Sequence, residues 1–376
     1  MRRASLMLIG ATVSCLWPPG ASETLAAEGL QPSLRLNLSK TYALEIWKGE
    51  VSPILYRSAR GQLLLLPGNG SIGKPPHALS SDDQGRTWRE WQGFGTWPQM
   101  AYADVVRRGA ELLAFGFNDK DCYGGTYLWW SQDEGVTWAG GKLLTADSER
   151  WAPMNNRVLV TRSGRLIVPI EQLLGAEGPG PNQIGTITSA DGGRSWQRSP
   201  IFGPPPPLPD RPEGFGEPST VELADGRIWM VFRTRLGHLW QAWSADGGAT
   251  WGAPSSTGLV SPLSAVNAKR LPGSDAVIVF WNNAKPGTTA DWGEGNNYWR
   301  PRSPLVCAVS QDNCQTWSRP LVVEPGTAAY PSLAFSETEM FAAFWADPDP
   351  QAVYLNPKSD LILVAYPLAA LTAGQW

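Results

Sequence analysis

An eight-residue pattern, S-x-D-x-x-x-[ST]-W, recurs five times in the 376-residue chain, at Ser81–Trp88, Ser131–Trp138, Ser189–Trp196, Ser244–Trp251 and Ser310–Trp317. The pattern describes a turn. Ser and Asp side chains bond nearby backbone amides, Gly takes the positive φ, and Trp lays apolar surface over the result. Five copies lie far beyond chance, so the chain must be built from repeats. In the fifth copy Cys314 stands where the others carry Gly.

The segments between the turns carry the same message. In Gly216–Trp251 a β-branched run, Thr220–Leu223, meets a tight-turn signal at Ala224-Asp225-Gly226, and Arg227–Arg233 runs back as its hairpin partner. Leu239–Trp243 forms a third strand that leads into the turn. Equivalent strand-turn-strand units occur at Ile54–Leu66, Val105–Phe115, Arg157–Ile170, Asn267–Asn282 and Ser332–Trp345. Six units at roughly 50–60 residues each predict an all-β fold, a six-bladed β-propeller with four-stranded antiparallel blades. Twenty Trp, forty Gly and thirty-three Pro agree with many short strands and turns. The leftover strand Tyr42–Trp47 is expected to close the ring by joining the last blade. Pro204–Pro209 is then a loop between blades, and residues 28–376 form one domain.

Ahead of that domain, residues 1–27 have the form of a signal peptide. Arg2-Arg3 precedes an apolar stretch, Ala4–Trp17, that is too short to span a bilayer, and small residues follow. The expectation is export to the periplasm or beyond, with no membrane span. Thr12-Val13-Ser14-Cys15 only faintly resembles a lipoprotein box. A formal charge of −3 and a pI near 5.6 argue against a nucleic-acid partner. Cys122, Cys307 and Cys314 remain after cleavage, an odd number that predicts no disulfide framework, and two histidines are too few for a typical metal site. No cofactor is implied, and the protein is expected to act as a monomer.

Strand order then assigns the faces. The repeated turns join third to fourth strands and fall on one face, where their Asp and Trp residues are structural. The opposite face collects the starts of inner strands, the ends of second strands and the second-to-third-strand loops. It offers Asn156, Arg157, Glu217, Tyr330, Glu171, Arg233 and Asn282, with Asp104, Asn267 and Asn182 beside them, and His77, Asp119, Asp121 and Trp299 on loops. Amides, carboxylates, arginines and aromatic rings together suit a glycan, since rings stack on sugar faces and Arg binds carboxylate bidentately. Each has a plainer role open to it: Glu217 can bond the Gly216–Pro218 turn, and Arg233 and Glu217 can form a purely structural pair.

With these residues in view, the chain resembles the sialidase (neuraminidase) superfamily. The five turns match its Asp-box, or BNR, repeats, and GEPSTVELADGRIWMVFR matches its fourth blade. The resemblance runs from about Tyr42 to about Tyr366. It implies an exo-acting glycoside hydrolase in which arginines bind a substrate carboxylate, a Tyr paired with Glu is the nucleophile, and an Asp is the acid/base. Carried over position by position, Tyr330 matches the nucleophile, Glu217 its partner, and Arg233 and Arg302 the second and third arginines. The family's first arginine has no counterpart before Ser52-Pro53, and Pro67–Leu79 holds neither Asp nor Glu. His77, Asp119 and Asp121 are the alternatives for the acid/base, and Arg157, Asn156, Glu171, Asn282 and Trp299 are candidate substrate contacts. Glu171 and Glu217 could also serve as a conventional carboxylate pair. Loss of catalysis altogether would leave a carbohydrate-binding propeller.

Overall fold

A computed structural model describes residues 30–42, 53–66, 78–91, 101–117, 125–145, 150–154, 156–172, 182–203, 214–285, 301–349, 359–374 and 376. Six antiparallel sheets form the six blades. The fourth blade shows the plan: Gly216–Glu222 is innermost, followed outward by Ile228–Arg233, His238–Ser244 and Ser255–Val260.

Burial follows the radial order. Second strands are walled by blades on both sides, and IWMVFR at Ile228–Arg233 and VIVFWN at Val277–Asn282 are buried at every position. That is why they read as continuous apolar runs with no alternation. Outer strands meet solvent, and Ala139–Leu143 is exposed throughout. The cores lie between blades: Val221, Trp229 and Val231 of the fourth pack with Ala268, Val279 and Trp281 of the fifth.

The five repeated turns share one hydrogen-bond scheme. Ser Oγ accepts the N–H of the fifth residue at 2.7–2.9 Å, from Gly85, Gly135, Gly193, Gly248 and Cys314. The Asp carboxylate accepts the Ser hydroxyl and the N–H and hydroxyl of the Thr or Ser ahead of Trp, as Asp246 does with Ser244 and Thr250. These bonds hold the Asp83 carboxyl at a pKa of about 2, and for Asp246 they outweigh burial, which acts to raise it, to the same value of about 2. The side chains are spent within their own turns, which supports the structural role expected of them.

Ring closure differs from expectation. The strand that joins the last blade is Leu34–Asn37, not Tyr42–Trp47. It pairs antiparallel with Asp360–Pro367 in the register Leu34↔Ala365. Tyr42 ends a short helix, Leu38–Tyr42, and residues 43–50 lie outside the described residues. LRLN is short and half-polar, as an outermost strand should be, so its apolar signal is weak beside ALEIW. Asn37 Nδ2 donates to Asp360 at 2.8 Å and Ser39 Oγ accepts the Leu361 N–H at 2.8 Å, fastening the seam.

The ring's centre is tied by polar side chains of inner strands. Asn156 interrupts the third blade's inner edge, between Trp151–Pro153 and Leu159–Val160, at φ 56°. Its amide donates to Leu55 O at 3.2 Å in the first blade, and its Oδ1 accepts from Asn267 Nδ2 at 2.9 Å and the Leu333 N–H at 2.7 Å. One side chain therefore bonds three other blades. Asp104 of the second blade accepts the Val158 N–H at 2.6 Å and faces the charge of Lys269 in the fifth.

Candidate functional site

Two inner strands bulge where the candidate site lies. Pairing with the second strand slips between Gly216 and Ser219 in the fourth blade and between Ala329 and Ser332 in the sixth. The displaced residues are Glu217 and Tyr330, each followed by a proline and each in the left-handed region, at φ 45° and 60°. A residue other than glycine is strained there, and bulges of this kind re-aim side chains. Proline at the next position removes an N–H from the ladder, so each bulge costs one hydrogen bond less.

Glu217 is the centre of charge. Its Oε1 lies 2.7 Å from Arg233 Nη1, and its Oε2 accepts a bond from Arg157 Nη2 at 3.0 Å. Burial acts to raise its pKa, but Arg233, Arg157 and Arg302 outweigh burial and hold the carboxyl below its ordinary value. Glu217 therefore stays ionised near neutral pH. Arg302 precedes the strand Leu305–Ser310, is fully buried, and sets its guanidinium 4.8 Å from the centre of the Tyr330 ring. Tyr330 itself is half-buried. Its hydroxyl makes no hydrogen bond to Glu217, whose two oxygens are both taken by arginines.

Glu171 stands behind this pair and ends up fully occupied. Its Oε2 accepts the Glu217 backbone N–H at 2.7 Å, its Oε1 accepts Asn182 Nδ2 at 2.9 Å, and Arg233 Nη2 lies 4.0 Å away. Burial, the first cause, raises its pKa; Arg233 opposes that and the Glu217 charge reinforces it. With 1% exposure Glu171 is bonded to the backbone that carries Glu217. Glycine makes this packing possible. A Cβ on Gly216 would sit 2.8 Å from Glu171 Oε1 and 3.0 Å from Arg233 Nε, and one on Gly214 would sit 1.9 Å from Asn182 O.

Three more candidate substrate contacts are buried and bonded within the fold. Asn282 is buried and donates to Arg302 O at 2.8 Å and Ala328 O at 2.9 Å, holding the backbone that carries Arg302. Asn156 is spent on the central network. Arg157, 3% exposed, donates through Nε to Val266 O at 2.8 Å and through Nη2 to Glu217. Strand-end positions identify all three from sequence, but only the packing shows that they lie beneath the surface. His77, Asp119, Asp121 and Trp299 lie outside the described residues. Lys269, in the short strand Asn267–Arg270, was not expected near the axis; a lone Lys at the same strand parity as Asn267 was the available signal. Among the described residues no group of His, Cys, Asp and Glu is arranged to hold a metal.

A propeller of Asp-box blades with arginines gathered on one carboxylate defines a class, the sialidase-like propellers. The chain belongs to the BNR repeat-like domain family, whose model matches residues 106–342, more than half of its length. It is 26% identical over 295 residues to a sialidase of Micromonospora viridifaciens, covering 67% of this chain and 42% of that enzyme. The chain thus spans less than half of that relative. Among solved structures, a protein of unknown function from Dyadobacter fermentans aligns with a TM-score of 0.63 at 16% identity, over 91% of this chain and all of that one. The NanB sialidase of Streptococcus pneumoniae aligns at 0.59 and 15%, over 87% of this chain and 71% of that one. At these identities the structural matches establish the fold. The chain is a divergent sialidase-like protein.

Proposed function

We propose that this protein is an exported glycoside hydrolase that removes a terminal acidic sugar from a glycan, with Tyr330 as nucleophile and Glu217 as its base. The observation that carries the reading is the meeting of Tyr330, Arg302, Glu217 and Arg233 at two bulged inner strands on one face. Three guanidiniums, those of Arg157, Arg233 and Arg302, meet two carboxylates there, so the site carries a positive excess suited to an anion. In the reaction the Tyr330 oxygen attacks the anomeric carbon as its proton passes to Glu217. The glycosidic bond breaks, and the leaving oxygen takes a proton from an acid on the loops, His77, Asp119 or Asp121. Water then releases the sugar from Tyr330 by the reverse proton path. A neutral nucleophile avoids repulsion by a carboxylate next to the anomeric carbon.

Glu217 must first loosen from an arginine to reach the Tyr330 hydroxyl. The same tight pairing supports a second reading, a propeller that binds acidic sugars without cleaving them. The burial of Glu171 and its bonds to the Glu217 N–H and Asn182 favour the Tyr330 reading over a Glu171–Glu217 carboxylate pair. The test is a screen of the mature protein against aryl sialosides, uronides and arabinosides, alongside Tyr330→Phe. Turnover of an acidic glycoside that the Phe variant loses by several orders of magnitude supports the hydrolase. Binding without turnover supports the second reading, and full activity in the Phe variant rules out the Tyr mechanism.

A further inference from the structure

Two arginines hold Glu217, and their settings differ. Arg233 ends the strand Ile228–Arg233 and keeps 11% of its side chain exposed, whereas Arg157 keeps 3%. Arg157 is also pinned independently of Glu217, through Nε to Val266 O at 2.8 Å. The guanidinium therefore links three blades: its own, the fourth through Glu217, and the entry to the fifth through Val266. An incoming carboxylate can reach Arg233 more readily than Arg157. The first-blade arginine of the family pattern is missing, which increases the demand on Arg233 as an anion ligand.

Building on the hydrolase reading, we propose that Arg157 is a positioning residue: it keeps Glu217 ionised and in place when an acidic sugar takes Arg233 from it. Both oxygens of Glu217 pair with arginines, and neither bonds the Tyr330 hydroxyl. A substrate carboxylate that pairs with Arg233 leaves Oε1 free, while Arg157 retains Oε2 and acts as the pivot. Oε1 can then accept the Tyr330 proton. The base is released only by a substrate that carries an anion, so neutral sugars of the same shape are turned over poorly even when they bind. Arg157 thus contributes to selection without touching the substrate.

The experiment has two arms. The first needs no substrate. Thermal unfolding is followed against pH for the wild type, Glu217→Gln, Arg157→Gln and the double variant. The stabilisation owed to the Glu217 charge disappears as pH falls through the folded-state pKa, which lies below the ordinary carboxyl value. In the Arg157→Gln background that midpoint should move up by about one pH unit. Arg157→Lys keeps the charge and should leave the midpoint near its wild-type place. If the Gln variant fails to fold, Arg157→Met, which keeps an apolar stem without the charge, takes its place, and an unmoved midpoint there would overturn the proposal. So would an unmoved midpoint in Arg157→Gln.

The second arm uses an aryl sialoside. Arg157→Gln should lower kcat roughly 10- to 100-fold with KM within about threefold, and shift the acidic limb of the rate profile upward. Arg233→Lys should instead raise KM. An Arg157→Gln variant that raises KM at unchanged kcat would make Arg157 a substrate ligand and end the positioning role. If the wild type turns over nothing, the hydrolase reading fails by itself, and the unfolding arm still decides whether Arg157 governs Glu217.

Discussion

Glu171 Oε2 accepts the backbone N–H of Glu217 at 2.7 Å, so a buried carboxylate of the third blade clamps a strained residue of the fourth. Replacing Glu171 by Gln keeps an acceptor oxygen but puts an amide where one oxygen now accepts from Asn182. Glu171→Gln should cost roughly 1–3 kcal/mol of stability, the usual range for leaving a buried hydrogen-bonding group unmatched. It should lower turnover through the displaced Glu217. Denaturant unfolding with rate measurements checks both, and a variant of wild-type stability would show that the clamp contributes little.

Gly216 has a single reason to be glycine. An added methyl would press on Glu171 Oε1 and Arg233 Nε together. Gly216→Ala should destabilise by about 1–3 kcal/mol, as overpacking does, and weaken binding of an acidic sugar by disturbing Arg233. Calorimetric titration of N-acetylneuraminic acid, alongside a melt, tests this.

Asp104 makes an unusual contribution to acid stability. Burial, the largest cause, overrides the Lys269 charge and backbone bonds and pushes its pKa up to about 6. A carboxyl raised in the folded state stabilises the fold most when protonated, so this contribution is lost as pH rises from about 4 to about 6. Its size is on the order of 3 kcal/mol. Asp104→Asn should flatten that part of the stability curve. The turn carboxylates work in the opposite sense: Asp83 and Asp246, held to about 2, stabilise above the ordinary carboxyl range and lose that effect as pH falls toward 2. Melts at half-unit pH intervals distinguish the two, and an unchanged slope in Asp104→Asn would count against the assignment.

Tyr330→Phe and Asp246→Ala should separate chemistry from scaffold. The first removes one oxygen from a half-buried side chain, so turnover should collapse while stability stays within about 0.5 kcal/mol. The second strips Thr250 and Ser244 of their acceptor and should cost roughly 1–3 kcal/mol, with kcat of the folded fraction unchanged. Melting curves and single-concentration rates are enough to test both.

Much of the fold was legible because propeller blades repeat their instructions. Ser81, Ser131, Ser189, Ser244 and Ser310 begin the same turn, and each turn locates a third and a fourth strand. Strand order then put Glu217, Arg233 and Tyr330 on one face, and the family resemblance added Arg302. Depth was not legible. Asn282 and Arg157 occupy rim positions by strand counting, yet both are buried, turned onto partners from distant segments: Arg302 O and Ala328 O for the one, Val266 O and Glu217 for the other. The closing strand was missed for a related reason: Leu34–Asn37 is held by partners far along the chain, and a four-residue half-polar run announces nothing locally.

That seam has a consequence for how the molecule is made. Leu34–Asn37 is synthesised before any blade, yet its partner Asp360–Pro367 comes after five of them. Until the ribosome reaches that segment the early strand has no mate, and pairings so distant along the chain are slow to form. A nascent ring therefore waits open with an unpaired edge, the kind that invites association with other chains. Translation pauses and chaperone supply should affect the yield of this protein more than its final stability does.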